Sequence, residues 1–299
     1  MIGFSNLDSL ICLCGARNRF GALAFTGDEG GRPAYTADDL AKAVNAIKIS
    51  GDKTVEIKSL IADSRRVAPA SAFFAVSGFT TDGNIYVEEA AHRGAVAVVS
   101  QKPCPKYFPA VWIQVADIHE ALPAAAKSFY SNPDESLKTF GVTGTNGKTS
   151  VTWMLQSILN ASSEKCGIIG TIHYDLGGRC LPASRTTPDA LELHAMLNQM
   201  RNCSCKAVAM EISSHSISQK RAKGIHLDCA CFLNLTQDHM DYHKTMESYF
   251  ETKASMFTGG LGSLPKNAVI NFDDPYGRKI AERLDPSVRL VSFGIESAG

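Results

Sequence analysis

The strongest chemical signal in the chain is Gly141-Val142-Thr143-Gly144-Thr145-Asn146-Gly147-Lys148-Thr149-Ser150. An apolar run precedes it and a helical pattern follows. In that setting a glycine-rich turn aims its N–H groups at phosphate oxygens, and the helix N-terminus adds partial positive charge. Lys148 suits the β- and γ-phosphates of a nucleotide, and the Thr149 hydroxyl suits Mg²⁺. The strict phosphate-loop pattern asks for glycine at position 142, where this chain has valine. By itself the loop indicates nucleotide binding and names no reaction.

Further along, other side chains suit the same chemistry. Glu211 ends the apolar run Ala207–Ile212, and open α/β sheets place ligands at such strand ends. It is a candidate Mg²⁺ ligand, and Ser213 shares its side if the strand continues. His215 and Gln219 are four apart and share a face if a helix begins there. Arg221 suits a carboxylate or phosphate by bidentate bonding. The cluster Asp238, His239, Asp241 and His243 suggests a metal, although a polar loop of turn residues looks similar. Lys253 lies within an apolar stripe of Met246, Tyr249, Phe250, Met256 and Phe257 at helical spacing. Burial lowers a lysine pKa from about 10.4 and favours the neutral amine, which can take up CO₂ as a carbamate. The alternative is a lysine that snorkels to water.

These residues need elements to hold them. The 299 residues are 44% hydrophobic, enough for about two domains with real cores. Residues 1–34 show no clear period and read as an extension of unknown role. Residues 35–134 read as a small α/β unit: a helix at Ala37–Ile47, strands at Val55–Ala62 and Ala72–Val76, and a helix at Tyr86–Arg93. Strands Ala95–Ser100 and Val111–Val115 and a helix at Ile118–Tyr130 complete it. Ser131-Asn132-Pro133-Asp134 reads as a hinge-like boundary. Residues 135–299 alternate strands and helices, which predicts a mostly parallel, doubly wound sheet. Its strands are expected at Leu137–Val142, Cys166–Ile172, Ala207–Ile212, Leu227–Leu233, Ala268–Asn271 and Leu290–Phe293, with a helix at Lys148–Leu159.

Thirty basic and thirty acidic side chains cancel, so the chain lacks the basic field that nucleic acid or an anionic membrane surface requires. No apolar run reaches the roughly 18 residues of a membrane span. The stretch Leu10–Leu13 is short and flanked by Asp8 and Arg17, which argues against a cleaved signal peptide. Nine cysteines include three Cys-x-Cys pairs: Cys12/Cys14, Cys203/Cys205 and Cys229/Cys231. They read as small buried thiols, with Cys229 and Cys231 on one face of a strand. A reduced, cytoplasmic setting fits that usage.

In combination these motifs resemble the Mur ligase family, most closely its MurE type. The loop Gly144–Thr149 resembles the family's nucleotide loop. Asp63-Ser64-Arg65-Arg66-Val67-Ala68-Pro69, Phe73–Gly78 and Asp82-Gly83 resemble its UDP-binding N-terminal domain. Thr186-Thr187-Pro188-Asp189, Glu211-Ile212-Ser213-Ser214-His215 and Asn234–His243, with Lys253 downstream, resemble the MurE type specifically. Leu233 stands where the family usually has threonine. The resemblance implies an α/β fold in which a small UDP-MurNAc-binding domain precedes a phosphate-loop domain. It also places the end of this chain where a third, C-terminal domain should begin.

The activity implied is an ATP-dependent amide ligation in peptidoglycan precursor synthesis. The third amino acid, diaminopimelate or lysine, is added to UDP-MurNAc-L-Ala-D-Glu through an acyl phosphate. The resemblance assigns ATP to Gly144, Thr145, Asn146, Gly147, Lys148, Thr149, Ser150 and Asn271. It assigns the UDP-sugar peptide to Ala62, Ser64, Phe79, Thr80, Thr81, Thr186, Thr187, Ser213, Gln219 and Arg221. Two Mg²⁺ ions are implied, with Thr149, Glu211, His239 and carbamylated Lys253 around them, and Lys148, Lys253, His239 and Glu211 carry catalysis. The expected protein is a cytoplasmic monomer that engages neither nucleic acid nor membrane. A related ligase of the MurF type, or a truncated module that binds both nucleotides without chemistry, are the alternatives.

Overall fold

The computed structural model describes residues 34–77 and 82–296. The N-terminal extension, Cys12/Cys14 and the expected substrate residues Phe79, Thr80 and Thr81 lie outside the described residues.

The first unit opens with helix α1 (Ala37–Ala43). Thr36 and Asp39 cap it reciprocally, each side chain taking the other's backbone N–H. Its sheet comprises β1 (Lys48–Ser50), β2 (Ser59–Ile61), β3 (Ser71–Phe74), β4 (Ala95–Ser100) and β5 (Val111–Gln114). The strand order is β1-β5-β4-β3-β2, with β1 antiparallel to β5 and the other pairs parallel. Helices α2 (Val87–His92) and α3 (Ile118–Phe129) pack on it, the latter capped by the Asp117 carboxylate. The strand expected at Val55–Ala62 shrinks to Ser59–Ile61. The chain before it is drawn off by α1 instead, where the Ile57 N–H meets the Tyr35 carbonyl and Thr36 bridges Glu56.

The second unit is the larger. Strands β6 (Lys138–Thr143), β7 (Cys166–Ile169), β8 (His173–Asp175), β9 (Cys180–Pro182), β10 (Ala207–Glu211), β11 (Cys229–Phe232), β12 (Asn267–Asn271) and β13 (Arg289–Phe293) form one sheet. Their order is β13-β12-β11-β6-β10-β7-β8-β9, parallel except for the β7-β8-β9 meander. The helices that matter here are α4 (Lys148–Ala161), α5 (Ala190–Asn202), α6 (Ser214–Ser218), α7 (Met240–His243) and α8 (Met246–Ala254). The mostly parallel sheet is as expected; β1 and the β8–β9 hairpin are not, because three-residue strands carry too little pattern. Cys166, Cys205 and Cys231 are buried, and Cys203 and Cys229 are half-buried. Burial pushes the Cys231 thiol up to about 12.

The two units share a core rather than a loose linker. Leu191 and Ala195 of α5 are buried with Phe129, Ala125 and Ala126 of α3. The segment expected to be hinge-like is a packed corner. Ser131 and Asn132 turn the chain with left-handed backbone, and Asp134 is fully buried. Its Oδ2 accepts from Lys127 Nζ and from the His226 N–H, both at 2.9 Å, while Arg201 Nη1 donates to the Ser131 carbonyl at 3.1 Å. Removing Lys127 would leave that carboxylate buried without its charged partner, which is costly.

Candidate active site

Strand β6 lies between β10 and β11, so three strand ends converge where the glycine-rich turn begins. Val142 pairs with Glu211 on one side, and Thr143 with Phe232 on the other. The strand continues through Val142, which is fully buried beside Cys231 and Leu233. A valine therefore stands where the strict pattern has glycine because the chain has not yet turned. Gly147 takes the left-handed conformation (φ 87°), and a Cβ on Gly144 would lie 3.0 Å from Leu233 Cβ. Leu233 is thus the floor of the loop. The Thr145 N–H donates to the Asn234 carbonyl at 3.0 Å and the Asn146 N–H to Asn234 Oδ1 at 2.9 Å, tying the loop to the end of β11.

Gly147 caps α4 with no side-chain acceptor, so the N–H groups of the first turn of α4, which has no intrahelical acceptors, face outward for an anion. Lys148 folds back over the loop, its Nζ donating to the Gly144 and Thr145 carbonyls at 2.9 Å each. Burial pulls its pKa down, and Glu211 and Asp238 push it back up. A phosphate would replace two neutral carbonyls with a full negative charge.

Glu211 is buried, 1% exposed. Its Oε1 accepts from Thr149 Oγ1 at 2.9 Å and from the Thr171 N–H at 2.8 Å, and its Oε2 from Thr171 Oγ1 at 3.0 Å. Strand β7 stops at Ile169 and not at Ile172, and the next residue, Gly170, leaves room for the carboxylate, since a Cβ there would clash with Glu211 Oε1. The Thr149 hydroxyl and the Glu211 carboxylate are hard oxygen donors side by side, which fits Mg²⁺. Strand β10 ends at Glu211, so Ser213 does not share its side. Ser213 caps α6 instead, accepting the Ser216 N–H at 3.1 Å.

Lys253 is also 1% exposed and does not snorkel. Its Nζ donates to the Gly144 carbonyl at 3.0 Å and Thr143 Oγ1 at 3.4 Å, and sits 4.7 Å from the centre of the Tyr249 ring. Burial, reinforced by Lys148, brings its pKa down to about 7. A sizeable fraction is then neutral amine at neutral pH, the form that reacts with CO₂.

The acidic and histidine cluster divides. Among the described residues no three His, Cys, Asp or Glu side chains converge as a metal group. His243 is buried instead, its Nε2 2.8 Å from Ser214 Oγ and its ring 4.9 Å from Tyr249. His239 stays exposed, with left-handed backbone (φ 54°), its ring edge-on to His215 at 4.8 Å.

A cleft of about 800 Å³ opens between the two units, lined by Ala62, Ser77, Arg185, Asp189, Gln219, Lys220, Arg221 and Tyr242 among others. Ala62 also faces a recess of about 260 Å³ with Asp63, Arg66 and Tyr130. Ser64 is buried in a 3₁₀ turn (Ser64–Arg66) capped by Asp63. Arg221 Nη1 donates to the Thr187 carbonyl at 2.6 Å and Nε to Gln219 Oε1 at 3.1 Å, which presents both side chains to the cleft. Thr187 is buried, its hydroxyl donating to the Glu211 carbonyl at 2.8 Å, and Thr186 meets Thr171 at 3.2 Å. Asn271 uses its amide within the chain, Nδ2 to the Leu233 carbonyl at 2.8 Å and Oδ1 from the Asp273 N–H at 3.0 Å.

The structure therefore brings Lys148, Thr149, Glu211 and Lys253 together, with Thr187 joining Glu211 to Arg221 at the cleft. Sequence reasoning missed Thr171, Arg185 and Tyr242. Tyr242 lay inside a quoted motif, whereas an isolated threonine such as Thr171 gives no signal before folding.

Two family models match the chain: "Mur ligase middle domain" over residues 142–299 and "Mur ligase family, catalytic domain" over 56–130. Curated relatives include the UDP-N-acetylmuramoyl-L-alanyl-D-glutamate–2,6-diaminopimelate ligases of Geobacter metallireducens and Geobacillus kaustophilus. The first is 39% identical over 86% of this chain and 51% of the relative. The second is 45% identical over 74% and 45%. The chain spans about half the length of these relatives. A solved structure of a ligase of that name superposes with TM-score 0.72 at 24% identity, covering 88% of this chain and 53% of the other. MurF from Acinetobacter baumannii superposes at 0.66 and 23% identity, covering 88% and 54%. At such identities the superpositions speak for the fold alone, and the family models and the curated relatives carry the assignment: the chain belongs to the Mur ligase family.

Proposed function

We propose that this chain is the nucleotide- and acceptor-binding part of an ATP-dependent ligase that adds the third amino acid to UDP-MurNAc-L-Ala-D-Glu. The observation that carries this reading is the joined pair Thr149 and Glu211, 2.9 Å apart, at an uncapped helix N-terminus and tied through Thr187 to Arg221 of the 800 Å³ cleft. Lys148 and the turn Gly144–Ser150 grip the triphosphate of ATP, with Asn271 toward its base. The cleft receives the sugar-nucleotide: Ala62 and Ser64 at the uridine end, with Phe79, Thr80 and Thr81, and Thr186, Thr187, Ser213, Gln219 and Arg221 toward the peptide. The D-glutamyl carboxylate attacks the γ-phosphorus and displaces ADP to form an acyl phosphate, and the amine of diaminopimelate or lysine then attacks its carbonyl, loses a proton and displaces inorganic phosphate to form the amide.

Thr149 and Glu211 would hold one Mg²⁺, with His239 and Lys253 around a second, and such ions would supply neutralising charge during phosphoryl transfer. Lys253 contributes as its carbamate: the neutral amine adds to CO₂, releases one proton and becomes an anionic oxygen donor. Such a protein works in the cytoplasm, where its nucleotide substrates are, and as a monomer.

Calorimetric titration tests this reading. A non-hydrolysable ATP analogue with Mg²⁺ and UDP-MurNAc-L-Ala-D-Glu should each bind one site. ADP release that requires the UDP-dipeptide and one of the two amino acids establishes ligation. Binding of both nucleotides without release identifies a binding module, and binding of neither overturns the proposal.

A further inference from the structure

His215 is the residue in Glu211-Ile212-Ser213-Ser214-His215 to which no role has yet been given. It stands four residues after Glu211, in the first turn of α6, where Ser213 fixes the start of the helix. Its ring lies 4.8 Å from the His239 ring at an interplanar angle of 86° and 4.3 Å from the Tyr242 ring at 41°. Tyr242 is held in turn by Ser218 Oγ at 3.1 Å and lines the cleft.

His239 needs such support. It caps the four-residue helix α7 with left-handed backbone and receives no side-chain cap. Its side chain is 44% exposed, and its Nε2 lies 3.4 Å from Asp238 Oδ2. The Tyr249 ring is also edge-on to it, at 6.1 Å and 89°. A half-exposed imidazole at the start of a short helix would sample several rotamers. Edge-to-face packing between His215 and Tyr249 selects one.

We infer that His215 is a positioning residue, which holds the His239 ring in one orientation, ready for the second divalent cation proposed beside it. This rests on the proposed role of Glu211 and His239, and the test separates the two. Histidine side-chain NMR of the metal-free chain reads the ring directly: His215→Ala should shift and broaden the His239 ring signals, and unmoved signals overturn the inference. Electron paramagnetic resonance with Mn²⁺ and a non-hydrolysable ATP analogue reads the consequence. His215→Ala should weaken the second Mn²⁺ about 10-fold, the low end of what outer-shell partners cost. His215→Phe, which keeps the ring but no nitrogen, should bind it about as well as wild type. Equal weakness in both variants overturns the inference, since the nitrogen and not the packing would then matter. Wild type taking up a single Mn²⁺ would defeat the two-metal reading, while the ring signals still decide the role of His215.

Discussion

The loop end of the central sheet and the junction between the two units both hold lysine amines against protein acceptors, in opposite ways. At the loop, Lys148 and Lys253 direct their amines to the carbonyls of Gly144 and Thr145. At the junction, Lys220 meets Asp117 and Glu120 at 2.8 Å each, Lys223 meets Glu120 at 2.6 Å, and Lys127 meets Asp134 at 2.9 Å. Cations matched by carboxylates hold two pieces of protein together and have little left for a ligand. Lysine amines matched only by neutral carbonyls are electrostatically incomplete, which leaves Lys148 as a cation ready for phosphate and Lys253, once neutral, ready for CO₂. The difference teaches where to look for binding: at buried charge without a counter-charge.

The sharpest way to break this contrast is at Lys253. Its folded pKa is about 7 against an ordinary 10.5, so the unfolded chain binds more protons between those values. Stability should therefore rise with pH from 7 to 10.5, and the penalty is complete below 7. Lys253→Met should stabilise the chain at pH 7 by roughly 3–5 kcal/mol and flatten that rise. Urea unfolding at pH 7 and pH 10 in CO₂-free buffer reads both, and an unchanged slope would mean that the amine is solvated. Lys148→Ala should weaken Mg·ATP binding about 10- to 100-fold, since a charged hydrogen bond contributes about 1.5–3 kcal/mol. Affinity within twofold of wild type, measured by titration, would sink its role at the phosphates.

The junction side predicts smaller changes. His194 is fully buried on α5 with neither ring nitrogen hydrogen-bonded among the described residues. Burial holds its pKa well below the ordinary 6.5, with Asp134 pulling the other way and Lys127 adding to the depression. The unfolded chain then takes up the proton first, so stability is lost as pH falls below 6.5. His194→Leu should shallow that acid limb in thermal melts between pH 6.5 and 5; an unaltered limb would place the proton elsewhere. Lys223→Ala should cost least, about 0.5 kcal/mol, because its pair with Glu120 is partly exposed. That loss should vanish in 1 M salt.

Much of this was legible before folding. The phosphate turn, the strand-end carboxylate and the striped lysine each combine an unusual residue type with a local pattern, and Glu211, Lys148 and Lys253 stand where those patterns place them. Asp238, Asp241 and His243 misled for the opposite reason. Adjacent polar residues look alike whether they converge or not, and His243 turned inward to Ser214.

Local order along the chain thus determined the alternation of strands and helices, the turn that faces phosphate and the burial of Lys253, since periodicity and glycine placement are properties of neighbours. Only the tertiary structure decided that Gly170 must yield to the Glu211 carboxylate, that Thr171 would hold that carboxylate, and that Ser131–Asp134 would pack as a corner. Each of those depends on atoms tens of residues apart meeting within about 3 Å, as hydrogen bonds require, and such meetings exist only once the sheet has formed.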